Sequence, residues 1–348
     1  MRLLVTGGAG FIGSNFVRYV TRTRPDDHVV VLDALTYAGT RTSLEPLEES
    51  AGVKFIHGDI GDSGLVESIL AKEEITTVVN FAAESHNSLA VLDPARFFRT
   101  NVLGTQQLCE AARRVGVERF HHISTCEVYG DLALDSPESF SEESPYRPRT
   151  PYNASKAGSD HVVRSYGETF ELPITITNCC NNYGPYQFPE KVIPLFITRA
   201  LATEPLPLYK SVENRREWLH VDDHCAAIDA VITRGRVGET YNVGSGFEAS
   251  IEQVADAVLA AVGAPQSLKT IVPDRPGHDR RYLLDSTKIR DELGWQAATP
   301  FGVGLKETVS WYRDNKTWWR PLIGRSPVVE GTWGDASPAA SAAGQAQV

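Results

Sequence analysis

Short apolar runs alternate with longer stretches of helical period through the first half of the chain. Arg2–Thr6, Val29–Asp33, Lys54–His57, Thr77–Phe81, Phe120–Ser124 and Ile174–Asn178 read as strands. Between them, Ile12–Thr23, Leu65–Ala71, Pro94–Val115 and Tyr152–Phe170 repeat apolar positions as one face of a helix does. Strand and helix in alternation predict a parallel sheet covered on both faces, because each parallel pair needs a crossover that lays a helix on the sheet.

Beyond Asn181 the pattern loosens. NNYGPYQFPEK is rich in Pro, Gly and aromatic residues and reads as an irregular segment shaped around something. Helices near Lys191–Ala202, Asp222–Thr233, Ile251–Val262 and Gly304–Arg313, with strands near Leu206–Tyr209 and Thr240–Val243, predict a smaller lobe folded onto the first. The expected organisation is a doubly wound α/β domain over residues 1–180 and a smaller C-terminal α/β substrate lobe over 181–325, with some exchange of chain between them. Residues 326–348, ending in ASPAASAAGQAQV, read as a flexible tail.

Composition narrows the class. The 348 residues suffice for a sizeable core, and 42% apolar with 22% charged residues is ordinary for a soluble protein. A net charge of −10 argues against a general nucleic-acid binder, which needs a basic surface to displace counterions. No run reaches bilayer length, and the N-terminus lacks the regions of a signal peptide, so neither membrane nor export is expected. Cys109, Cys126, Cys179, Cys180 and Cys225 show no CxxC or metal spacing and read as reduced thiols of a cytoplasmic protein. No metal site is expected: the histidines are scattered, and His121 and His122 point to opposite faces of one strand.

Candidate chemistry begins at TGGAGFIG. Gly7, Gly10 and Gly13 follow the first strand and open the first helix, where they let the backbone turn tightly and approach a pyrophosphate at the helix N-terminus. Phe11 and Ile12 belong to the same turn. Asp33 ends the second strand, placed to bond a ribose 2′-OH and to repel a 2′-phosphate, which favours NAD over NADP. Asp59, followed by Ile60, ends the third strand, where a carboxylate suits an adenine amino group. In FAAES, Ala82 and Ala83 leave room for backbone to pass the cofactor. The sheet is therefore expected to be of Rossmann type.

Tyr152 and Lys156 form YxxxK, one turn apart on one helical face. An ammonium beside a phenol favours the phenolate, so Lys156 is expected to lower the Tyr152 pKa and make it a base for a sugar hydroxyl.

TGGAGFIG, STxEVYG, PYNASK, NNYGPYQFPEK, REWLHVDDH and DRPGHDRRY resemble the extended short-chain dehydrogenase/reductases, and among them the dTDP-glucose 4,6-dehydratases, over about residues 1 to 320. The resemblance implies a homodimer that holds NAD, oxidises C4 of a nucleotide-activated hexose, removes a proton from C5 and water from C6, and returns hydride to C6. It implies that Thr125 bonds the C4 oxygen, that Tyr152 and Lys156 are base and activator, and that Glu127 takes the C5 proton. Ser85, His86, Glu190 and Lys191 would meet the sugar, Asn181, Arg216 and Arg275 the diphosphate, and His278 would frame the base. Trp318, Trp319 and Arg320 read as structural.

Two stretches depart from that pattern. The family's Thr-Asp-Glu, whose aspartic acid protonates the departing hydroxyl, is Thr125-Cys126-Glu127 here, and the usual AAESHVDRS is AAESHNSLA. A thiol with a pKa of about 8.5 is protonated at neutral pH but is a weak donor. Cys126 is therefore expected to be catalytic with altered geometry, against the plainer reading of a small core residue. The leading function is 4,6-dehydration. A 5,6-dehydratase that returns hydride to C4 and releases an exo-glycal, a C4 epimerase, and a non-catalytic sugar-nucleotide binder are the alternatives.

Overall fold

The computed structural model describes residues 1–326, so all but the first residue of the expected tail lies outside the described residues. Seven strands form one sheet in the order Thr240–Val243, Ile174–Cys179, Arg119–Thr125, Thr77–Asn80, Arg2–Thr6, His28–Asp33, Lys54–His57, and every pairing in it is parallel. The order reverses beside Arg2–Thr6, which opens a crevice at the carboxyl ends of the strands.

Both faces of this sheet are covered. Leu4 packs with Val30, Leu32 and Val78 beneath Leu108 and Ala111 of helix Thr105–Val115. Leu3 and Val5 face the other way, against Phe16, Val17 and Val20 of helix Phe11–Thr23. These last three, each worth roughly 1.5–3 kcal/mol of burial, anchor the helix whose N-terminus opens on the crevice.

The same layer contains Cys225 and Ile228 of helix Val221–Arg234. This helix and strand Thr240–Val243, read from sequence as parts of the smaller lobe, instead complete the main sheet and its cover. The exchange of chain is therefore substantial. Which layer an amphipathic helix joins is set by long-range pairing that a local pattern does not carry.

The smaller lobe holds two further sheets. Glu248–Ser250, Arg215–His220 and Asn181–Tyr183 form one, and Lys269–Val272 pairs with Leu206–Tyr209 in the other. Helices Val192–Ala202, Ile251–Val262 and Phe301–Asp314 close over Ile193, Phe196, Leu208, Val258 and Val309. Trp319 lies in this core, and the Trp318 indole donates to Ser43 Oγ at 3.2 Å, tying the lobe to the main domain.

Glu217 is fully buried in the lobe's central strand, where its carboxylate accepts the backbone N–H of Gly246 at 2.7 Å and of Leu284 at 3.0 Å. Burial pushes its pKa up to about 7, against those two bonds and with Glu248 adding repulsion. A folded pKa above the unfolded one means stability that is complete below pH ~4.5 and is lost as pH rises through about 7. The contribution is on the order of 3 kcal/mol. Thermal midpoints are expected to fall between pH 5.5 and 8, and Glu217→Gln, whatever its absolute stability, is expected to flatten that slope. An equal slope in both proteins assigns the titration elsewhere.

Candidate active site

One cavity of about 510 Å³ runs from the glycine turn, over the carboxyl ends of the main strands, into the smaller lobe. Its size suits a cofactor-and-substrate site. Every sequence-predicted site residue except Cys126 lines it.

At the cofactor end, Gly7 has φ +66°, and a Cβ there would lie 2.6 Å from Ala82 N. A Cβ on Gly13 would lie 2.4 Å from the Gly7 carbonyl oxygen. Neither Gly7 nor Gly13 therefore has room for a side chain, and Gly10, at the N-cap, gives the first N–H groups of the helix no side-chain cap. Phe11 and Ile12 line the same wall. Asp33 accepts from Ala9 N at 2.9 Å and from Leu35 N at 2.8 Å, which fixes its carboxylate at the mouth of the turn. Asp59 accepts from Gly61 N at 2.8 Å, next to Ile60, and Ala82 closes the opposite side. A cradle that any Cβ would fill, an uncapped helix N-terminus and a fixed acid fit a dinucleotide.

In the middle stand Thr125, Glu127, Tyr152 and Lys156. Thr150 caps helix Pro151–Phe170, its hydroxyl accepting from Asn153 N at 3.2 Å, so Tyr152 and Lys156 rise from a defined first turn. The Tyr152 phenol does not stand below its usual range: burial and then Glu127 push it well above, and a hydrogen bond with Thr125 acts the other way. The ammonium is aimed elsewhere: Lys156 Nζ donates to the Ile123 carbonyl at 2.7 Å and lies 3.4 Å from His122 Nε2. Burial lowers the Lys156 pKa and Asp160 beneath it opposes this. Burial and Lys156 hold His122 at about 4, so its ring is neutral at physiological pH.

Glu127 opens to the cavity on one side and is enclosed by protein on the other. Burial and then Asp279 raise its pKa, opposed by Arg275, by a hydrogen bond from Asn87 at 3.1 Å, and by Arg216.

Cys126 does not stand where the sequence reading puts it. It is 1% exposed, packs with Val128, Tyr129, Cys180 and Leu219, and is no part of the cavity wall. Thr125 is extended, with φ −144° and ψ 148°, so the next side chain leaves on the opposite side of the chain. Standing between two cavity residues places Cys126 away from the cavity. The thiols that do line it are Cys180 and Cys179, whose Sγ–H donates to the Ser124 carbonyl at 3.4 Å.

Toward the smaller lobe, Glu190 accepts from Tyr37 at 2.7 Å and pairs with His86 Nε2 at 3.3 Å. Against burial, His86, Lys191 and Tyr37 hold its carboxyl at about 2. Lys191 Nζ also donates to the Ser85 carbonyl at 3.0 Å. His86 does more than expected: its Nδ1 accepts from Ser88 N and Leu89 N and so caps helix Asn87–Leu92.

Arg216, 5% exposed, is braced by the carbonyls of Arg215 at 2.7 Å and Asp279 at 2.7 Å. Arg275 Nη1 is buried and has no hydrogen-bond partner, a donor awaiting an anion. Asn181 lies on the same wall, and His278 stacks edge-on to Tyr209 at 5.2 Å while its Nδ1 meets Ser211 Oγ at 3.0 Å. Tyr37, Asn87 and Tyr282 also line or support the cavity and were not read as site residues. Nothing local marks Tyr37; Asn87 was visible only as a departure from the family pattern.

A glycine cradle at the reversal of a parallel sheet, with a buried Tyr-Lys pair on the adjoining helix, defines an extended short-chain dehydrogenase/reductase. The family model described as GDP-mannose 4,6 dehydratase matches residues 4–308. A dTDP-glucose 4,6-dehydratase of Streptomyces niveus is 48% identical over 342 residues, covering 97% of this chain and 99% of its own. The dTDP-glucose 4,6-dehydratase DesIV of Streptomyces venezuelae, solved with NAD bound, is 49% identical with a TM-score of 0.89, over 92% of this chain and 100% of that one. A UDP-glucose 4-epimerase of Thermotoga maritima shares 28% identity at a TM-score of 0.83, over 90% and 99%. The chain belongs to the dTDP-glucose 4,6-dehydratase family.

Proposed function

We propose that this protein is an NAD-dependent hydro-lyase that converts dTDP-glucose to its 4-keto-6-deoxy derivative. The observation that carries the proposal is Glu127, a cavity carboxyl beside the Thr125–Tyr152 pair, which C4 epimerization alone does not require.

The Gly7–Gly13 turn, Asp33 and Asp59 would hold NAD, which would supply the hydride acceptor for C4 and the donor for C6. Thr125 donates to the C4 oxygen while Tyr152 takes its proton. The ketone at C4 acidifies C5, and Glu127 removes that proton. Cys126 lies behind the wall, so the departing C6 hydroxyl takes its proton from Glu127 itself, whose raised pKa suits a group that accepts and then gives one. The C5–H and C6–O bonds break, water leaves, and Glu127 is again a carboxylate; C5 is reprotonated from solvent when hydride reaches C6. Arg216 and Arg275 neutralise the diphosphate, and Glu190, Lys191, Ser85 and His86 hold the sugar.

Proton NMR of the product from dTDP-glucose tests this. A C6 methyl doublet is expected. Exocyclic vinyl protons identify the 5,6-dehydratase, a galactose spectrum the epimerase, and unchanged substrate with NAD bound the non-catalytic reading.

Two coarser features extend the proposal. Phe98, Leu103 and Phe170 are exposed on the helical segments Phe98–Gly104 and Pro151–Phe170, an apolar face that suits a second copy in a homodimer. The five thiols are unpaired and buried, in keeping with a reducing cytoplasm, and no helix among the described residues is long and apolar enough to cross a membrane.

A further inference from the structure

The stretch that departs from the family pattern beside the sugar holds an amide that touches the base. Asn87 opens helix Asn87–Leu92, half-buried on the cavity wall, and its Nδ2 donates to Glu127 Oε2 at 3.1 Å. Its Oδ1 accepts from the Thr150 hydroxyl at 3.2 Å. An ionised carboxylate only accepts, so the amide nitrogen must face Glu127 and the oxygen must face Thr150. Thr150, 4% exposed, is also the cap of the helix that carries Tyr152. One side chain therefore links the C5 base to the first turn of the helix that bears the C4 base.

We propose that Asn87 is a positioning residue that clamps the Glu127 carboxylate in register with Tyr152 and sets the pH at which Glu127 works. This rests on Glu127 being the C5 base.

Asn87 is the neutral side chain that hydrogen-bonds the Glu127 carboxylate directly. Facing Glu127 are Arg275, Asp279 and Tyr282 from one segment, Arg216 from strand Arg215–His220, Tyr152 from its helix, Cys179 from strand Ile174–Cys179, and the adjoining Cys126. The two arginines are the groups expected to be drawn to a diphosphate. The amide keeps a bond to the carboxylate while they are so engaged. A hydrogen bond to the charged form favours that form, so removing it raises the Glu127 pKa and moves the acid limb of activity to higher pH.

The test compares the parent with Asn87→Val, which keeps the breadth of the side chain without its donor, and Asn87→Asp, which keeps the shape and the Thr150 contact but presents an acceptor to Glu127. The acid limb of kcat on dTDP-glucose is expected to rise by about one pH unit in Asn87→Val and further in Asn87→Asp. Below the limb kcat falls roughly tenfold. The isotope effect of C5-deuterated substrate grows, that of C4-deuterated substrate shrinks, and KM stays within about twofold. A merely structural brace would move KM and the thermal midpoint but neither the limb nor the C5 isotope effect. If Asn87→Val does not fold, Asn87→Asp alone decides. A folded variant of either kind with the parent's limb and C5 isotope effect overturns the proposal. Glu127→Gln separates the underlying reading: if it still incorporates solvent deuterium at C5, Glu127 is not the base, whatever Asn87 does.

Discussion

Tyr152→Phe is expected to lower kcat on dTDP-glucose by roughly 10²–10⁴-fold, the usual loss when a positioned acid–base group is removed. The ring itself is structural: it is 9% exposed, meets Phe97 edge-on at 6.3 Å between centroids, and packs with Leu89 and Ala90. Phenylalanine keeps all of that. What it removes is the oxygen that shares a hydrogen bond with Thr125 and is proposed to take the proton of the C4 hydroxyl. The loss should therefore appear in kcat with KM nearly unchanged, and C4-deuterated substrate should show a larger isotope effect than with the parent, because C4 oxidation becomes the slow step. Solvent deuterium incorporation at C5, which needs the ketone first, should fall in parallel. A variant that keeps kcat within about threefold would mean that Thr125 alone handles the C4 oxygen, and the Tyr-Lys pair would have to be reassigned to binding.

Most of the main sheet is legible because its inner strands are buried on both faces, and continuous apolar runs such as RLLVT have few other readings. The smaller lobe was not. Strand Arg215–His220 reads RREWLH, and its Arg216 and Glu217 look like surface residues, yet they are 5% and 0% exposed because carbonyls and backbone N–H groups pair them. Such satisfaction is supplied by distant chain, so no local pattern announces it. The segment Pro94–Val115 was read as one helix, and it is continuous, but Phe98–Gly104 is wound as a π-type turn, a change of hydrogen-bond register that side-chain periodicity barely records.

The site was legible in a different way. Glycines, Asp33 and YxxxK each answer a geometric demand of the cofactor or the reaction, so their spacing is diagnostic. Charge coupling was not: the influence of Lys156 on Tyr152 was inferred from a helical turn, whereas the ammonium's direction depends on the Ile123 carbonyl and on Asp160. Cys126 failed for the opposite reason. Adjacency to Thr125 and Glu127 suggests proximity to substrate, but the extended backbone at Thr125 turns the successive side chain to the opposite face. The acid missing at position 126 is thus no vacancy in the cavity wall, and in the proposed mechanism both protons fall to Glu127, the cavity carboxyl bonded to Asn87.

Gly13→Ala is expected to weaken NAD binding by roughly 10–100-fold, the equivalent of forcing one carbon into a packed site. The added Cβ would stand 2.4 Å from the Gly7 carbonyl oxygen and 2.8 Å from Gly8 Cα, both backbone atoms that no rotamer change can move. The turn has little room to retreat. A Cβ at Gly7 would already lie 2.6 Å from Ala82 N, so that side is filled, and Phe16, Val17 and Val20, all fully buried, pin the helix on the other. Relief must come from tilting the turn toward the cavity, where the pyrophosphate is expected to sit. Calorimetric titration of NAD into nucleotide-free protein measures the effect directly. Gly302→Ala is the matched control: nothing lies within 4 Å of its would-be Cβ in helix Phe301–Asp314, so it should leave NAD affinity unchanged and raise stability by about 0.5–1 kcal/mol. Equal NAD affinity in Gly13→Ala and Gly302→Ala would show that the turn does not carry the cofactor's phosphates, and Asp33 would lose its assigned partner with it.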